Sequence, residues 1–352
     1  MFRKILYVIV ISIFIFIISG LFLPGSVHIE RSIVIERPAS TVFTILNSFN
    51  TFTSWSPWAE KDPDAVYEIS GPETGVGARL SWKGDPRLVG EGWQEITESI
   101  PSASIRLKLD IIQQGKADTH FQISRAGADD TRVTWGFDTN LVEGQGFFGG
   151  LLARYFGLFF NQWIGKDYEA GLNNLKIYAE SLPATDFSGL EVEVVQVEPM
   201  DILYVAAESS RAPGGIAASL ASAYQEITTF MSENSIKIYS QPMAITRAWD
   251  EEKYEFNAAI PIVAANVEPS GNVQIGKSPS GRAVRVIHKG PYDRMAPSYG
   301  KLASYMAAHG LREGRVSWEH YISNPGETAP ADIITHIYFL IGDDQQETSR
   351  NE

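Results

Sequence analysis

The sequence predicts an α+β protein with three parts: an apolar N-terminal helix and two regions that mix strands with helices. Residues 5–23 form one uncharged apolar stretch, which predicts the N-terminal transmembrane helix. In the first mixed region, a run of strands ends in a long amphipathic helix, which predicts an antiparallel sheet around that helix. In the second mixed region, a strand–helix–strand–strand pattern occurs twice, which predicts a duplicated βαββ domain.

The composition excludes several classes of protein. The chain has 352 residues, enough for about two domains. Its formal net charge is -13, and acidic side chains outnumber basic ones in both halves, which argues against a nucleic-acid partner. The absence of cysteine removes disulfides, thiol nucleophiles and Cys-based zinc sites. The six histidines are scattered without a His-x-x-x-His pair, so neither a metal site nor a cofactor is expected.

The apolar stretch has three interpretations. At roughly 1.5 Å per residue it spans about 28 Å, close to a bilayer core of about 30 Å. Only Ser12 and Ser19 interrupt it, so a core helix with a polar face is the least favoured interpretation. A cleaved signal peptide is the second, because residues 22–24 make a poor cleavage site. The favoured interpretation is a retained membrane anchor, residues 1–25.

The charges before the anchor predict its orientation. Arg3 and Lys4 precede the apolar stretch, which favours an N-terminus inside the cell. We therefore expect a single-pass protein of the cytoplasmic (inner) membrane of a bacterium, held in the bilayer through residues 5–23. The domains that follow are then expected on the extracytoplasmic side.

A linker is predicted at residues 182–189, where a proline, a glycine and small polar residues separate two patterned regions. The first domain is then 28–182 and the second 190–342. Residues 343–352 form a polar tail.

The first domain starts with a strand at 27–36 and a helix at 39–48, and a long helix follows at 147–181. Between them, partial alternation predicts strands at 78–82, 88–97, 105–111, 119–124 and 131–139. The last strand is the clearest, since Val133, Trp135 and Phe137 share one face.

Three short motifs connect this domain with a known superfamily: RPASTVF at 37–43, WSPW at 55–58 and GEGWQEITESIP at 90–101. In this order they resemble the helix-grip superfamily of START domains and polyketide cyclases (SRPBCC). The resemblance implies a sheet curled around a C-terminal helix, with a cavity that in other members takes lipids, hormones or polyketides. Some members are enzymes, but no acid–base constellation is evident here. We interpret Trp55, Pro57 and Trp58 as packing residues, and Asp138 and Glu143 as solvated.

The second domain contains an internal repeat. Residues 223–231 and 298–306 are both helical in period, and each places a tyrosine, Tyr224 or Tyr299, at its second position. A strand, a loop and a further strand follow each helix. Two such units related by a pseudo-twofold axis are expected to place aromatic side chains around one groove.

Further motifs of the second domain are RVIHKGPY at 285–292, WEHY at 318–321, an Asn-Pro turn at 324–325 and ITHIYFLI at 334–341. They resemble the effector-binding domain of GyrI-like proteins and of some AraC-type and MerR-type regulators. The resemblance implies a small-molecule binding groove. The usual DNA-binding domain is not expected here, since an anchor and a helix-grip domain stand in its place.

Glu319 is the main candidate for a binding residue. Alternation places Ser317, Glu319 and Tyr321 on one face of a strand, and the resemblance implies that this face meets the groove. A carboxylate on an aromatic wall attracts organic cations. In the alternative interpretation, Glu319 is an exposed residue paired with Arg315. The other candidates for groove wall or support are Tyr321, Tyr338, Trp318, Tyr204, His336 and Tyr292. We expect His288 to be structural.

Three functions remain open from the sequence. The leading hypothesis is a non-enzymatic protein that binds or senses an amphipathic or cationic small molecule. The first alternative is a hydrolase or cyclase that acts on a hydrophobic electrophilic ligand, with Glu319 as general base. The second alternative is a protein-interaction module with an unknown protein partner.

Overall fold

The computed structural model describes residues 2–112, 115–187, 191–210, 212, 214–250 and 252–342. The chain forms two compact units, the first ending at Asp186 and the second beginning at Phe187. The predicted polar tail, residues 343–352, lies outside the described residues, as do residues 188–190 of the predicted linker.

The apolar N-terminal stretch is a single helix, α1 (Phe2–Leu21). It is long and apolar enough to cross a membrane, and nearly all of its length is exposed. That exposure differs from the burial of a core helix. By length and composition α1 fits a membrane anchor or a signal sequence, since both have this character.

The first unit contains one antiparallel sheet of seven strands. These are β1 (Ser26–Ile35), β2 (Val66–Ser70), β3 (Arg79–Lys83), β4 (Glu91–Ile100), β5 (Ser104–Ile111), β6 (Gly115–Arg125) and β7 (Thr131–Asn140). Their order is β1-β7-β6-β5-β4-β3-β2, so the first strand closes against the last and the others follow as a meander.

Three short helices and one long helix complete this unit: α2 (Ala39–Leu46), α3 (Phe52–Trp55), α4 (Pro57–Lys61) and α5 (Phe147–Ser181). The WSPW motif is a helix start, because Ser56 accepts a hydrogen bond from the Trp58 amide and Pro57 occupies the first turn. The bounds of α5 are those predicted from the sequence.

The second half of α5 packs on the sheet through aromatic rings. Trp135 on β7 stacks on Tyr168 of α5 with ring centroids 4.0 Å apart. Gly171 makes this approach possible, because a Cβ there would lie 2.8 Å from the Trp135 ring. Leu172 and Leu175 are buried one turn further on. The predicted inward face of β7 is therefore the face that contacts α5.

Three strands of this unit differ from the sequence-based expectation by three residues or more, and one of them is β6, which begins at Gly115 instead of residue 119. The pattern did not reveal β2, which is an edge strand whose residues are mostly exposed and so lack alternation. Strand β4 begins at Glu91, three residues later than expected, because Leu88 and Val89 are held in a turn by hydrogen bonds from their amides to the Asp85 carbonyl.

The second unit is built on one continuous antiparallel sheet of eight strands. The strands are β8 (Val192–Val197), β9 (Asp201–Ser210), β10 (Met243–Trp249), β11 (Lys253–Pro261), β12 (Gln274–Lys277), β13 (Gly281–Lys289), β14 (Glu313–Tyr321) and β15 (Ile334–Ile341). Helix α6 (Gly215–Glu233) follows β9, and α7 (Ala296–Ala308) follows β13.

The strand order, β12-β9-β11-β10-β14-β15-β13-β8, shows how the two repeats combine. Each repeat begins with one strand more than the predicted βαββ unit, and that strand pairs with the other repeat. Thus β8 pairs with β13, and β12 pairs with β9. The exchange joins both repeats into one sheet, with the pseudo-twofold axis between β10 and β14.

The sheet of this unit is apolar on both faces. On the face with the helices, α6 packs on one cluster around Phe256, and α7 packs on another around Val286. The opposite face carries a third cluster, which includes Trp318 and Tyr338. Glu319 lies in the strand between these layers, so the face toward which it points decides its environment.

We predict that Leu175→Ala destabilises the first unit by about 2–5 kcal/mol, because Leu175 is fully buried and the substitution leaves a cavity. Ile177→Ala is the matched control on the same helix, since Ile177 is 69% exposed, and it should change stability by less than about 0.5 kcal/mol. Chemical denaturation of both full-length variants measures the difference. Equal losses would contradict the packing described for α5.

Candidate functional site

Glu319 lies on β14, the strand next to the pseudo-twofold axis. It pairs with Ile337 on one side and with Ala244 on the other. Paired residues of antiparallel strands share a face, and Ile337 belongs to the apolar cluster under α7. The Glu319 carboxylate therefore points to the helix face of the sheet.

Two tyrosine hydroxyls bind the Glu319 carboxylate. The Tyr299 hydroxyl on α7 donates to Oε1 at 2.5 Å, and the Tyr321 hydroxyl on β14 donates to Oε2 at 2.5 Å. Tyr321 shares a face with Glu319 because it is two residues further along the strand. Each carboxylate oxygen thus has a phenolic donor. These two hydrogen bonds hold the Glu319 side chain, rather than the pairing with Arg315 that was the alternative interpretation of the sequence.

Three further tyrosines surround this group. Tyr224 is on α6, Tyr254 is on β11, and Tyr292 is in a short 3-10 turn before α7. The Tyr224 hydroxyl donates to the Met243 carbonyl at 2.8 Å. Tyr292 contacts Tyr321 edge to face, with ring centroids 5.3 Å apart. Two tyrosines therefore hold the carboxylate, and three more lie close enough that its charge raises their pKa.

The electrostatics of the site follow from its burial. Burial raises the pKa of the Glu319 carboxyl, while the hydrogen bonds from Tyr299 and Tyr321 and the charge of His288 oppose that rise. Burial and the nearby carboxylate likewise raise the pKa of Tyr299 and of Tyr321 far above its usual range. Both phenols therefore remain protonated donors at neutral pH.

The structure brings together only some of the predicted residues. Glu319, Tyr321 and Tyr292 form one group. Trp318, Tyr338, Tyr204 and His336 do not join it, because they lie on the opposite face of the sheet. The physical reason is register: Trp318 pairs with Tyr338 and Glu319 pairs with Ile337, so the two pairs point to opposite sides.

Two of the residues on the opposite face pack against each other. Trp318 and Tyr338 are buried and stack with ring centroids 4.7 Å apart. The Tyr338 hydroxyl lies 3.5 Å from Nδ1 of His336. Burial, with the charge of Arg285, lowers the pKa of His336. His288 lies on the helix face instead, where it is buried with its Nδ1 2.9 Å from the Ser298 hydroxyl.

Sequence reasoning missed Tyr299, Tyr224 and Tyr254 as members of the site. Tyr224 and Tyr299 occupy equivalent positions in the two helical repeats, and the sequence pattern treats them only as apolar helix positions. Their equivalence was the available signal, because a pseudo-twofold axis at β10 and β14 brings both helices toward the same carboxylate. Tyr254 carries no comparable signal.

The first unit contains a separate cavity of about 790 Å³ between the sheet and α5. Aromatic and aliphatic side chains dominate its wall, including Trp58, Phe156 and Trp163. The hydroxyl of Tyr67 and Nε1 of Trp135 are buried and have no hydrogen-bond partner among the described residues, although both side chains line the cavity.

The WSPW residues divide between core and cavity. Trp55 and Pro57 are buried, whereas Trp58 lies on the cavity wall. Asp138 is half-exposed and bonds to Nδ1 of His28 at 2.7 Å. Glu143 is exposed at the cavity rim. Within the residues that the structure describes, no three His, Cys, Asp or Glu side chains could together hold a metal ion.

Two family models match the chain. Residues 26–180 match the polyketide cyclase / dehydrase and lipid transport family, and residues 190–341 match the GyrI-like small molecule binding domain. These matches confirm both resemblances: the chain carries an SRPBCC-type, polyketide cyclase-like domain followed by a GyrI-like domain. Both are domain types that bind small molecules, which supports a small-molecule ligand for this protein.

Several solved structures are similar to part of the chain. A hydrolase from Listeria innocua is 17% identical, covers 43% of this chain and 92% of its own, and has a TM-score of 0.34. The C-terminal domain of EcmrR is 16% identical, covers 44% of this chain and 99% of its own, and has a TM-score of 0.37. The Zhui aromatase/cyclase from a Streptomyces species is 16% identical. The match covers 44% of this chain and 94% of that protein, with a TM-score of 0.33. No curated protein matches the chain.

We predict that Tyr299→Phe raises the pKa of Glu319, because it removes a hydrogen bond that favours the charged carboxylate. The folded pKa already lies above its unfolded value. Protonation of this carboxyl therefore stabilises the fold at low pH, and that contribution is lost as the pH rises through the folded pKa. In Tyr299→Phe, this stabilising contribution is therefore lost at a higher pH than in the unchanged protein.

A carbon-13 NMR titration of the glutamate carboxyls measures this change. Tyr292→Phe is the matched control, since its hydroxyl makes no hydrogen bond to Glu319 in the described structure, although the carboxylate raises the pKa of Tyr292. If the pKa of Glu319 changes by the same amount in both variants, the hydrogen bond from Tyr299 does not stabilise the ionised carboxylate.

Proposed function

We propose that the protein is a membrane-anchored receptor for an amphipathic or cationic small molecule. In this proposal α1 is retained in a bacterial cytoplasmic membrane, with the N-terminus inside and both domains on the extracytoplasmic side. The second domain captures the ligand, and Glu319 supplies the counter-charge. The single observation that carries the proposal is the half-buried Glu319 carboxylate, which is held by two tyrosine hydroxyls with three further tyrosines nearby.

The charge balance of the site supports a cationic ligand. A buried carboxylate is costly unless a cation or sufficient hydrogen bonds compensate for it. Two phenols donate to Glu319, yet burial still raises its pKa, so the compensation is incomplete. Among the described residues, no Lys or Arg forms an ion pair with this carboxylate. A ligand cation would supply the missing charge.

The aromatic side chains support the same ligand class. The faces of tyrosine rings attract cations electrostatically, by about 0.5–2 kcal/mol per ring. Their apolar edges accept the hydrophobic part of an amphipathic molecule. Tyr292 is 36% exposed, whereas Tyr254 is 5% exposed. We therefore expect the ligand to reach Glu319 past the Tyr292 side chain.

A catalytic role is the second candidate. A carboxyl whose pKa is raised by burial suits a general base, and the Tyr321 hydroxyl beside it could donate a hydrogen bond. Such an enzyme would act as a hydrolase or cyclase on a hydrophobic electrophilic ligand. Turnover of an electrophilic substrate panel by the full-length protein, lost in Glu319→Gln with binding retained, would favour this candidate over the receptor.

We predict that Glu319→Gln weakens binding of cationic aromatic dyes about tenfold or more, because a charge-assisted interaction contributes about 1.5–3 kcal/mol. Glu313→Gln is the matched control, since Glu313 lies on the same strand but is exposed and distant from the tyrosines. Isothermal titration calorimetry of the full-length protein in detergent measures both. Unchanged dye affinity in Glu319→Gln would remove this residue from the proposal.

We also predict that dye affinity falls at low pH. The ligand cation favours the ionised carboxylate, so below the raised pKa of Glu319 binding must first release a proton. Affinity should then drop about tenfold for each pH unit below that pKa, and the slope should vanish in Glu319→Gln. Calorimetry in two buffers of different ionisation enthalpy detects the released proton. If the affinity of Glu319→Gln still depends on pH in the same way, a group other than Glu319 causes the pH dependence.

A further inference from the structure

The first half of α5 exposes an unusual set of large apolar side chains. These are Phe147, Phe148, Leu152, Phe156, Leu158, Phe159 and Trp163, each between 49% and 71% exposed. In the second half of the helix, Ile177 is the one large apolar side chain that is similarly exposed within the described residues. The exposed apolar surface of α5 is therefore concentrated in its first half.

This part of α5 contacts the last turns of α1. Phe16 stacks on Tyr155 with ring centroids 4.3 Å apart. The Ser19 hydroxyl lies 2.6 Å from the Tyr155 hydroxyl, which also donates to the Phe16 carbonyl at 2.6 Å. Gly20 lies directly against Leu151, with no room for a Cβ. The contact therefore combines ring stacking, hydrogen bonds and close backbone approach.

A charged side chain completes the junction. Arg154 donates a hydrogen bond to the Leu23 carbonyl, just after the end of α1. A cation at the C-terminus of a helix is favoured by the helix dipole. The first half of α5 is thus fastened to the end of α1 by both apolar and polar contacts within one compact unit.

The position of the bilayer follows from this junction, and here the argument rests on the proposed retention of α1 as an anchor. A helix that crosses the membrane places its last turn at the boundary between acyl chains and headgroups. The side chains of α5 that are fastened to that turn then lie at the same depth. Phenylalanine, leucine and tryptophan are the residues that amphipathic helices bury at this boundary.

The cavity of the first unit opens on the same part of the molecule. Phe156 and Trp163 line the cavity although more than half of each is exposed. Exposed residues of the preceding loop, Glu143 to Gln145, also line it. The rim of the cavity is therefore formed in part by the apolar surface of α5.

We propose that the exposed face of α5 between Phe147 and Trp163 is a second membrane contact, which lies in the headgroup boundary beside the end of α1. In this position the mouth of the cavity opens to the bilayer rather than to water. An amphiphile dissolved in the outer leaflet then enters the cavity directly from the lipid phase.

The experiment uses the absence of cysteine from the chain, which allows single cysteines to be placed for nitroxide labels. The full-length protein is reconstituted in phosphatidylcholine–phosphatidylglycerol vesicles. Labels at Phe148→Cys and Phe159→Cys report on the proposed surface. Ile177→Cys is the matched control, an exposed apolar position on the same helix, and Phe14→Cys reports on α1. Electron paramagnetic resonance then compares collisions with oxygen, which concentrates in lipid, and with a water-soluble nickel complex.

The expected result is a ratio of oxygen to nickel collisions several-fold higher at Phe148 and Phe159 than at Ile177, with Phe14 also in lipid. If Phe14 lies in lipid while Phe148 and Phe159 match Ile177, the second contact is overturned and the anchor stands. If Phe14 itself is in water, the anchor fails, and the inference that depends on it fails too. Equal lipid exposure at all four positions would overturn a contact confined to the first half of α5.

Discussion

The second domain depends on one constraint, which is the placement of the half-buried Glu319 carboxylate among tyrosine hydroxyls. A charge at that position must be held by donors, and Tyr299 and Tyr321 supply one hydrogen bond to each oxygen. Tyr299 can reach the carboxylate only because α7 packs on the face toward which Glu319 points. The same requirement explains why both repeats contribute tyrosines, since a site on a pseudo-twofold axis draws side chains from both halves. The duplication thus places polar side chains from both repeats around one position on the sheet.

The duplication is asymmetric at its centre. Glu319 pairs directly with Ala244 across the axis, so a carboxylate in one repeat faces a methyl group in the other. Two carboxylates at these positions would repel each other, and each would raise the pKa of the other. With one carboxylate and one small side chain, the site has a single negative charge in apolar surroundings. Its charge would be balanced by one monovalent cation. The exchanged strands β8 and β12 keep the two repeats in one sheet around this centre.

In the first domain, one helix has two different roles along its length. The second half of α5 forms the core through the Trp135–Tyr168 stack and buried leucines. The first half leaves its apolar side chains exposed and meets α1 and the cavity rim instead. A helix used only for packing would show one continuous buried stripe. The change in burial along α5 therefore separates the part that stabilises the domain from the part available to a ligand or a membrane.

The sequence by itself determined the class of fold, the limits of α5, the inward face of β7 and the shared face of Glu319 and Tyr321 on β14. All of these follow from periodicity within one element, which is a local property. Only the tertiary structure decided which residues meet Glu319. Trp318, Tyr338, Tyr204 and His336 went to the opposite face because strand register between distant segments is not encoded in local alternation. Tyr299 and Tyr224 joined the site because helix packing brings together side chains from separate repeats, and the exposed edge strand β2 was hidden because it lacks alternation.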